Sequence, residues 1–271
     1  MRKLKHTAVL VGIALVAFAS ASCSDAPVGA QTGSPATGSQ ASSPIVVELF
    51  TSQGCSSCPP ADRYLSELAE RTDVEIIPLS FHVDYWNYIG WTDPFSSEAW
   101  SDRQRRYARA LGGNRIYTPQ MVVNGRWVGV GSNRRDISRL LERARAEPSV
   151  AEVGVSAELV SDDRLRIAVS TSGVYSRLEG ENLAAWVAVV ESELETAVGR
   201  GENASKSLRN DRVVRKLERV QGLDLAEPGV STTLEVGLEP EWLRDKLSIA
   251  AFLQETDSLR IRAAAQTRLA D

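Results

Sequence analysis

The middle of the chain alternates between two spacings of apolar residues. The β-branched run Ile45–Leu49 is typical of a buried strand, and apolar residues at helical spacing follow in Ala61–Arg71. The elements predicted after them are strand Val74–Phe81, helix Ser97–Leu111, strands Gln120–Val123 and Arg126–Gly129, and helix Asn133–Ala146. The two short strands flank Asn124-Gly125, a strong signal for a two-residue hairpin turn. The order β-α-β-α-β-β-α predicts an α/β domain over residues 45–147.

The pattern changes after Pro148, where short β-rich runs are separated by turn residues. These runs are Val153–Leu159, Leu165–Thr171, Ala185–Val190, Thr232–Val236, Leu247–Gln254 and Leu259–Ala265. Such spacing is typical of a small antiparallel β-sandwich and predicts a second, mostly β domain over residues 151–271. The segment Val213–Val220 fits a helix as well as a strand.

Two cysteines, Cys55 and Cys58, lie between the first predicted strand and the first predicted helix. A C-x-x-C pair that opens a helix in such an α/β pattern is typical of a thioredoxin-like redox site. The order of elements is also that of the thioredoxin fold. We therefore interpret residues 45–147 as a thioredoxin-like domain with a redox-active cysteine pair.

Three other interpretations of the pair are weaker. A structural zinc site needs four Cys or His ligands, but only Cys55, Cys58 and His82 remain after the N-terminal leader. A purely structural disulfide across so short a ring would contribute only about 2 kcal/mol. Inert buried thiols are disfavoured because the residues around the pair are small and polar.

Two prolines, Pro59 and Pro60, predict where the helix starts. Proline lacks an N–H and is accommodated best in the first helical turn, where the N–H groups have no intrahelical partner. This places the N-cap at Ser57 or Cys58. We expect Cys55 to be the more exposed, attacking sulfur and Cys58 to be the more buried, resolving one.

Three stretches resemble a bacterial secreted family called domain of unknown function 1223. They are E-L-F-T-S-Q-G-C-S-S-C-P-P-A-D (residues 48–62), H-V-D-Y-W-N-Y-I-G-W-T-D-P-F (82–95) and T-P-Q-M-V-V-N-G (118–125). The resemblance runs from about Ile45 to the C-terminus and implies a thioredoxin-like fold and a site, but no known substrate. Asn87 departs from the acidic residue expected there in many relatives.

The resemblance also implies a role for Thr118-Pro119. Thioredoxin-like sites place a cis-proline loop against the cysteine pair, and Thr118-Pro119 lies just before a predicted strand. Thr118 would then present backbone groups to an extended substrate peptide. The alternative is an ordinary trans proline in a turn.

His82 is the single histidine outside the leader, and it follows the second predicted strand. Residues two apart in a strand share a face, so His82 and Asp84 are expected to form an orienting pair near the sulfurs. A purely structural histidine is the alternative.

The N-terminus carries a predicted export signal. Residues 1–22 combine basic residues, a short apolar run and small residues, which is typical of a secretory signal peptide. The sequence Ser20-Ala21-Ser22-Cys23 resembles a lipoprotein box, although leucine is usual where Ser20 stands. Residues 23–44 are nearly all small or polar and predict a flexible tether behind a lipid on Cys23. Ordinary cleavage and secretion is the alternative.

The charge balance excludes one class of partner. The whole chain carries a formal net charge of −4, and loss of the three basic residues of the leader leaves 28 basic against 35 acidic residues, or −7. No basic run is interleaved with aromatic residues, so nucleic acid is not an expected partner. Membrane association is expected only through a lipid on Cys23.

Three functions follow from these patterns. The first is an envelope thiol-disulfide oxidoreductase that acts on thiol- or disulfide-bearing proteins or small thiols through Cys55, Cys58, His82 and the Thr118-Pro119 loop, without a cofactor. The second is a soft-metal protein that holds an ion such as Cu(I) with Cys55, Cys58 and His82. The third is a non-enzymatic envelope module whose β-rich part binds a partner, and a cysteine pair buried away from any groove would indicate it.

Overall fold

A computed structural model describes residues 43–172, 182–223 and 229–269. The predicted signal peptide, Cys23 and the tether up to residue 42 lie outside these ranges. Three α-helices are described: α1 (Pro59–Ala69), α2 (Glu98–Ala110) and α3 (Arg134–Arg145). The strands are β1 (Ile45–Thr51), β2 (Ile76–His82), β3 (Gln120–Val123), β4 (Trp127–Val130), β5 (Glu152–Ser161), β6 (Arg164–Ser172), β7 (Leu183–Glu191), β8 (Leu194–Ala197), β9 (Ser207–Asn210), β10 (Val213–Arg219), β11 (Ser231–Gly237), β12 (Leu247–Glu255) and β13 (Ile261–Arg268).

The elements predicted for the first half are present within a few residues of the predicted bounds. Ser97 is the N-cap of α2, and its hydroxyl accepts a hydrogen bond from the backbone N–H of Ala99. Asn124 and Gly125 have positive φ angles of 46° and 65°, but Val123 pairs with Trp127, so the turn has three residues, Asn124–Arg126, and not the predicted two. Local sequence signals therefore determine these elements.

The predicted fold class is wrong. One mixed sheet of eight strands runs in the order β13-β12-β7-β10-β2-β1-β3-β4, so strands from both halves of the chain form a single sheet. Among the described residues the elements form neither a separate thioredoxin-like α/β domain nor a separate β-sandwich, and this part of the chain is mostly β. Strands from both sides of residues 147–151, where the sequence pattern predicted a domain boundary, belong to this one sheet.

The junction between the two halves is the pairing of β10 with β2. The strands are parallel, with Val213 opposite Ser80, and the backbone N–H of Ser80 donates to the carbonyl oxygen of Arg212 over 2.7 Å. Every residue of β2 is buried, as is typical of a central strand with neighbours on both edges. The segment that fitted both a helix and a strand is therefore strand β10.

The hydrophobic core follows the continuous sheet. One cluster joins Phe50 and Phe81 of the first half to Val190 and Phe252 of the second. A second cluster packs the three-stranded sheet β11-β6-β5 over the strands β7, β12 and β13. Helices α1 and α3 cover β1 and β3 through a third cluster.

A buried ion pair crosses this core. Arg103 of α2 donates two hydrogen bonds to the carboxylate of Glu48 on β1, at 2.6 and 2.8 Å, and both side chains are at most 1% exposed. Tyr107 donates to the same carboxylate over 2.6 Å, and Gln254 of β12 donates to the Tyr107 hydroxyl over 2.8 Å. The network thus connects β1, α2 and β12, which come from both halves of the chain.

We predict that Glu48→Gln lowers the free energy of unfolding by about 3 kcal/mol, because it leaves the Arg103 guanidinium buried without its counter-ion. Urea unfolding measures this loss. Arg139→Gln is the control, since Arg139 forms an exposed pair with Asp136 and should change stability by less than about 1 kcal/mol. Equal effects of the two substitutions would contradict a structural role for the buried pair.

Candidate functional site

The two predicted cysteines form a disulfide at the start of α1. Cys55 and Cys58 are bonded with their Cα atoms 5.5 Å apart. Cys58 is the N-cap, and Pro59 and Pro60 occupy the first positions of the helix. The prediction from the prolines, an N-cap at Ser57 or Cys58, is confirmed, and the structure selects Cys58.

The disulfide is covered by protein. Cys55 is 1% exposed and Cys58 is fully buried, so the expected difference in exposure is negligible and Cys55 is not accessible. The hydroxyl oxygen of Ser57 lies 3.3 Å from the Cys55 sulfur. We call residues 52–57 the cysteine loop, and its surroundings explain the burial.

Asp62 lies one helical turn after Cys58, and sequence analysis missed it. The backbone N–H of Asp62 donates to the carbonyl oxygen of Cys58 over 3.0 Å, and residues four apart lie on the same face of a helix. The hydroxyl of Thr51 donates to the Asp62 carboxylate over 2.7 Å. Burial of the carboxyl raises the pKa of Asp62 to about 6, although the residue as a whole is only partly buried.

His82 pairs with Asp93 and not with Asp84 as predicted. Nδ1 of His82 lies 2.7 Å from a carboxylate oxygen of Asp93, and both side chains are fully buried. Asp84 instead accepts a hydrogen bond from the Ser101 hydroxyl. The reason is that the chain leaves the strand at His82 and Asp84 begins a 3-10 helix, so the alternation of a strand ends between them.

The pKa values of the His82–Asp93 pair shift in opposite directions. Burial lowers the pKa of His82, but the carboxylates of Asp93 and Asp62 outweigh it, and the net pKa is raised. Burial raises the pKa of Asp93, but His82 and the backbone N–H groups of Gln53 and Phe95 outweigh it, and the net pKa is lowered. In the described part of the chain, Nε2 of His82 has no hydrogen-bond partner.

The predicted cis-proline is present. The Thr118–Pro119 peptide bond is cis, Thr118 is partly exposed and Pro119 is buried. Trp86 connects this turn to the cysteine loop, because its indole N–H donates to the Thr118 hydroxyl over 2.7 Å and its Cβ lies against Gly54. Thr118-Pro119 and the cysteine loop are thus joined through a side chain that sequence analysis did not single out.

A hairpin from the second half of the chain lies over the cysteine loop. This cover hairpin, residues 194–210, consists of β8, β9 and the turn between them, and its strands form a sheet of their own. Asn203 is fully buried and donates to the carbonyl oxygens of Gln53 and Cys55, each over 2.9 Å. The Glu202 carboxylate accepts a hydrogen bond from the backbone N–H of Ser56 over 2.8 Å.

Gln53 ties the same loop to its neighbours on several sides. Its backbone N–H donates to Asp93 over 2.8 Å, and its side-chain amide donates to Asn210 over 2.8 Å. Its side-chain oxygen accepts from the indole N–H of Trp91 over 3.2 Å. The sulfurs are therefore enclosed by polar contacts as well as by apolar packing.

The arrangement has the parts needed for proton-coupled thiol chemistry. A disulfide lies at a helix N-terminus, and a carboxyl that titrates near neutral pH lies one turn further on. Across the described residues, no group of three or more His, Cys, Asp or Glu side chains is placed to hold a metal ion. The soft-metal hypothesis thus gains no support from the geometry.

A family model described as "Protein of unknown function (DUF1223)" matches residues 46–254. The chain belongs to the DUF1223 family. A search of curated proteins gave no significant match. The family assignment therefore confirms the resemblance given by the sequence motifs, and it brings no known activity.

Two solved structures show the same fold as this DUF1223 protein. A protein from Agrobacterium tumefaciens is 32% identical, with a TM-score of 0.63, over 84% of this chain and 94% of the other. HBP35 of Porphyromonas gingivalis is 14% identical, with a TM-score of 0.62, over 84% of this chain and 76% of the other. The second similarity concerns the fold alone.

We predict that Asp62→Asn stabilises the protein at high pH. A carboxyl whose pKa is about 6 when folded and about 3.8 when unfolded binds more protons in the folded state between these values, so stability falls as pH rises from about 4 to 6. The neutral variant should be nearly as stable as wild type at pH 4 and about 2–3 kcal/mol more stable at pH 8. Urea unfolding at the two pH values measures the difference.

A loss of stability at pH 8 would show instead that the ionised carboxylate is well solvated or paired. Asp136→Asn is the control, since the Asp136 side chain is 48% exposed in the first turn of α3 and its replacement should not produce a gain that grows with pH.

Proposed function

We propose that the protein is a thiol-disulfide oxidoreductase in which Cys55 and Cys58 alternate between disulfide and dithiol. The observation that carries the proposal is a set of ionisable groups near the disulfide: Asp62 lies one helical turn after Cys58, and its carboxyl interacts electrostatically with the buried His82–Asp93 pair. A disulfide that serves only as a crosslink does not require a buried carboxyl nearby, and burial of the Asp62 carboxyl lowers the stability of the fold. Perturbed pKa values of this kind cluster at functional sites.

The exchange begins when a thiolate attacks the Cys55 sulfur. A new disulfide forms between the incoming sulfur and Cys55, the Cys55–Cys58 bond breaks, and the electron pair remains on Cys58 as a thiolate. The N-terminus of α1 stabilises negative charge on Cys58. This makes Cys58 the better leaving group and Cys55 the sulfur that is attacked.

In the reverse direction Asp62 acts as the general base. Its carboxylate accepts the proton of the Cys58 thiol, and the resulting thiolate attacks Cys55 in the mixed disulfide and releases the partner's thiolate. A pKa of about 6 leaves Asp62 mostly ionised at pH 7 while keeping it basic enough to take a proton. His82, held by Asp93, supports the charge on Asp62 through their electrostatic attraction.

The exposed aromatic surface beside the site supports a protein substrate. Tyr88 is 81% exposed and stacks on Trp86, with their ring centres 6.4 Å apart, and Trp86 lies against the cysteine loop. Aromatic side chains of this kind often anchor protein partners. We therefore include disulfide-bearing proteins of the cell envelope among the substrates, reached after export with or without a lipid on Cys23.

The alternative of a non-enzymatic module is favoured by one observation, the burial of both sulfurs. It predicts a disulfide that resists reduction until the protein unfolds.

No helix of the described residues is long and apolar enough to cross a membrane.

We predict that Cys58→Ser accumulates mixed disulfides through Cys55 with thiol- or disulfide-bearing partners, because the resolving sulfur is gone. Non-reducing electrophoresis of the variant incubated with oxidised glutathione or envelope extract, followed by mass mapping of the modified cysteine, measures this. Cys55→Ser is the matched control and should trap much less. More trapping by Cys55→Ser would reverse the roles of the sulfurs, and no adduct with either variant would favour the non-enzymatic module.

We predict that Asp62→Asn slows closure of the mixed disulfide by about 10- to 100-fold at pH 7, because Cys58 loses its base. In wild type the closure rate should rise as pH increases through about 6, whereas in the variant the rise should move toward the pKa of the thiol itself. Stopped-flow release of glutathione from the Cys55 adduct gives both profiles. Superimposable profiles would exclude Asp62 as the base.

The reduction potential of the pair completes the test. A reversible two-electron equilibrium with a glutathione buffer is expected. A potential near about −270 mV would favour a reductant and one near about −120 mV an oxidant. A pair reducible only far below about −300 mV would be a structural disulfide and would contradict the proposal.

A further inference from the structure

We propose that the cover hairpin controls access to the disulfide, with Asn203 as the positioning residue that holds it closed. The inference rests on the proposed redox function and concerns how that site admits its substrate. Its starting point is that neither sulfur is accessible in the described conformation, with Cys55 at 1% and Cys58 at 0% exposure.

Asn203 makes the central contact between the hairpin and the cysteine loop. Its side-chain amide uses both hydrogens, one on the carbonyl of Gln53 and one on that of Cys55, each at 2.9 Å. Its side-chain oxygen accepts from the ammonium group of Lys206 over 2.9 Å. An Asn side chain so fully satisfied, and 0% exposed, holds the backbone on either side of Gly54 at a fixed distance from the hairpin.

Two further contacts close the cover. The Glu202 carboxylate accepts from the backbone N–H of Ser56, and hydrogen bonding to Ser56 lowers the pKa of Glu202. Gly201 has a φ of +79° and lies so close to Ile89 that a Cβ there would be 2.9 Å from the Ile89 Cδ1 atom. Ile89 also lies against Gly54, so one side chain fills the space between the hairpin and the cysteine loop.

The hairpin is built so that it can move without the rest of the fold. Its strands of four residues each pair only with one another among the described strands, and they do not belong to the eight-stranded sheet. Val198, Leu208 and Asn210 of the hairpin are buried, but a small unit that pairs only with itself can open at less than the free energy of global unfolding. Lifting the turn breaks the contacts of Asn203 and Glu202 but no pairing of the eight-stranded sheet.

Access matters for the chemistry itself. An attacking thiolate approaches Cys55 from the side opposite the bond that breaks, and the electron pair of that bond passes to Cys58. A covered sulfur cannot be attacked in this way. The observed rate of reduction by an external thiol is therefore the intrinsic rate multiplied by the fraction of molecules with the cover open.

The test is the rate of reduction of the folded, full-length protein by dithiothreitol. Asn203→Ala should raise the second-order rate constant by about tenfold, which corresponds to about 1.4 kcal/mol of the opening equilibrium. Glu202→Ala should raise it severalfold, and because Glu202 is exposed this variant should fold normally. Asn203→Gln keeps the amide donor and should recover part of the closed state.

Two controls separate opening of the cover from general loss of stability. Arg200 lies in the same hairpin and makes no hydrogen bond or ion pair with the described residues. Arg200→Ala should therefore leave the rate of reduction unchanged. Val169→Ala weakens the core of β6 far along the chain, and it should lower the melting temperature without raising the rate. Hydrogen exchange of residues 194–210 should exceed that of β1 and β2 and rise further in Asn203→Ala.

The outcomes distinguish this inference from the proposed function. Reduction at equal rates in wild type, Asn203→Ala and Glu202→Ala would overturn the cover while leaving the redox proposal intact. A rate that rises equally in Val169→Ala would mean that global unfolding exposes the sulfurs, and it would also overturn the cover. Failure of every variant to be reduced below the unfolding transition would contradict the redox function itself.

Discussion

The pairing of β10 with β2 is the contact on which the arrangement of the site depends. Val213 of β10 pairs with Ser80 of β2. Ser80 lies two residues before His82, the last residue of β2 and part of the candidate site. Because the cover hairpin immediately precedes β10, this pairing brings it to the end of the sheet where β1 leads into the cysteine loop. One non-local strand pair thus sets both the continuity of the sheet and the covering of the disulfide.

The site contains a conflict between stability and chemistry. Asp62 is held where burial disfavours its charge, although the Thr51 hydroxyl and His82 offset part of that effect. The Glu48–Arg103 pair is buried more deeply, with both side chains at most 1% exposed, but each of its charges has a close partner of opposite sign. The two carboxylates therefore differ in purpose: Glu48 is fully paired within the core, while Asp62 retains a proton affinity that can be used.

Sequence analysis predicted the parts of the fold that depend on local signals. The Asn124-Gly125 turn, the prolines at the start of α1 and the periodicity of the first-half elements all gave the correct local structure, although the turn has three residues and not two. The fold class was wrong because strand pairing between distant segments leaves no local signal. The burial of every residue of β2, as expected for a strand with a neighbour on each side, is seen only in the structure.

In the candidate site, too, the residues marked by local sequence signals were predicted and those brought in from distant segments were not. Cys55, Cys58, Thr118, Pro119 and His82 were all identified from short motifs, and the structure places the disulfide, the cis bond and a paired histidine among them. Asp62 could have been found, since it lies four residues after Cys58 in a predicted helix. Asn203 could not, because it lies about 150 residues away in a hairpin with strands too short and too polar to be predicted.

Burial of the sulfurs does not by itself decide between a relic and a working site. A disulfide buried in apolar surroundings could be exposed only by disrupting the core, at nearly the full free energy of unfolding. Here the contacts over the cysteine loop are largely polar, and they come from a two-stranded hairpin outside the main sheet. Water can replace polar contacts of this kind at modest cost, since the net contribution of a hydrogen bond is about 1 kcal/mol. If the cover opens as proposed, exposure of the sulfurs requires less free energy than unfolding of the sheet, and burial in the closed state is compatible with exchange.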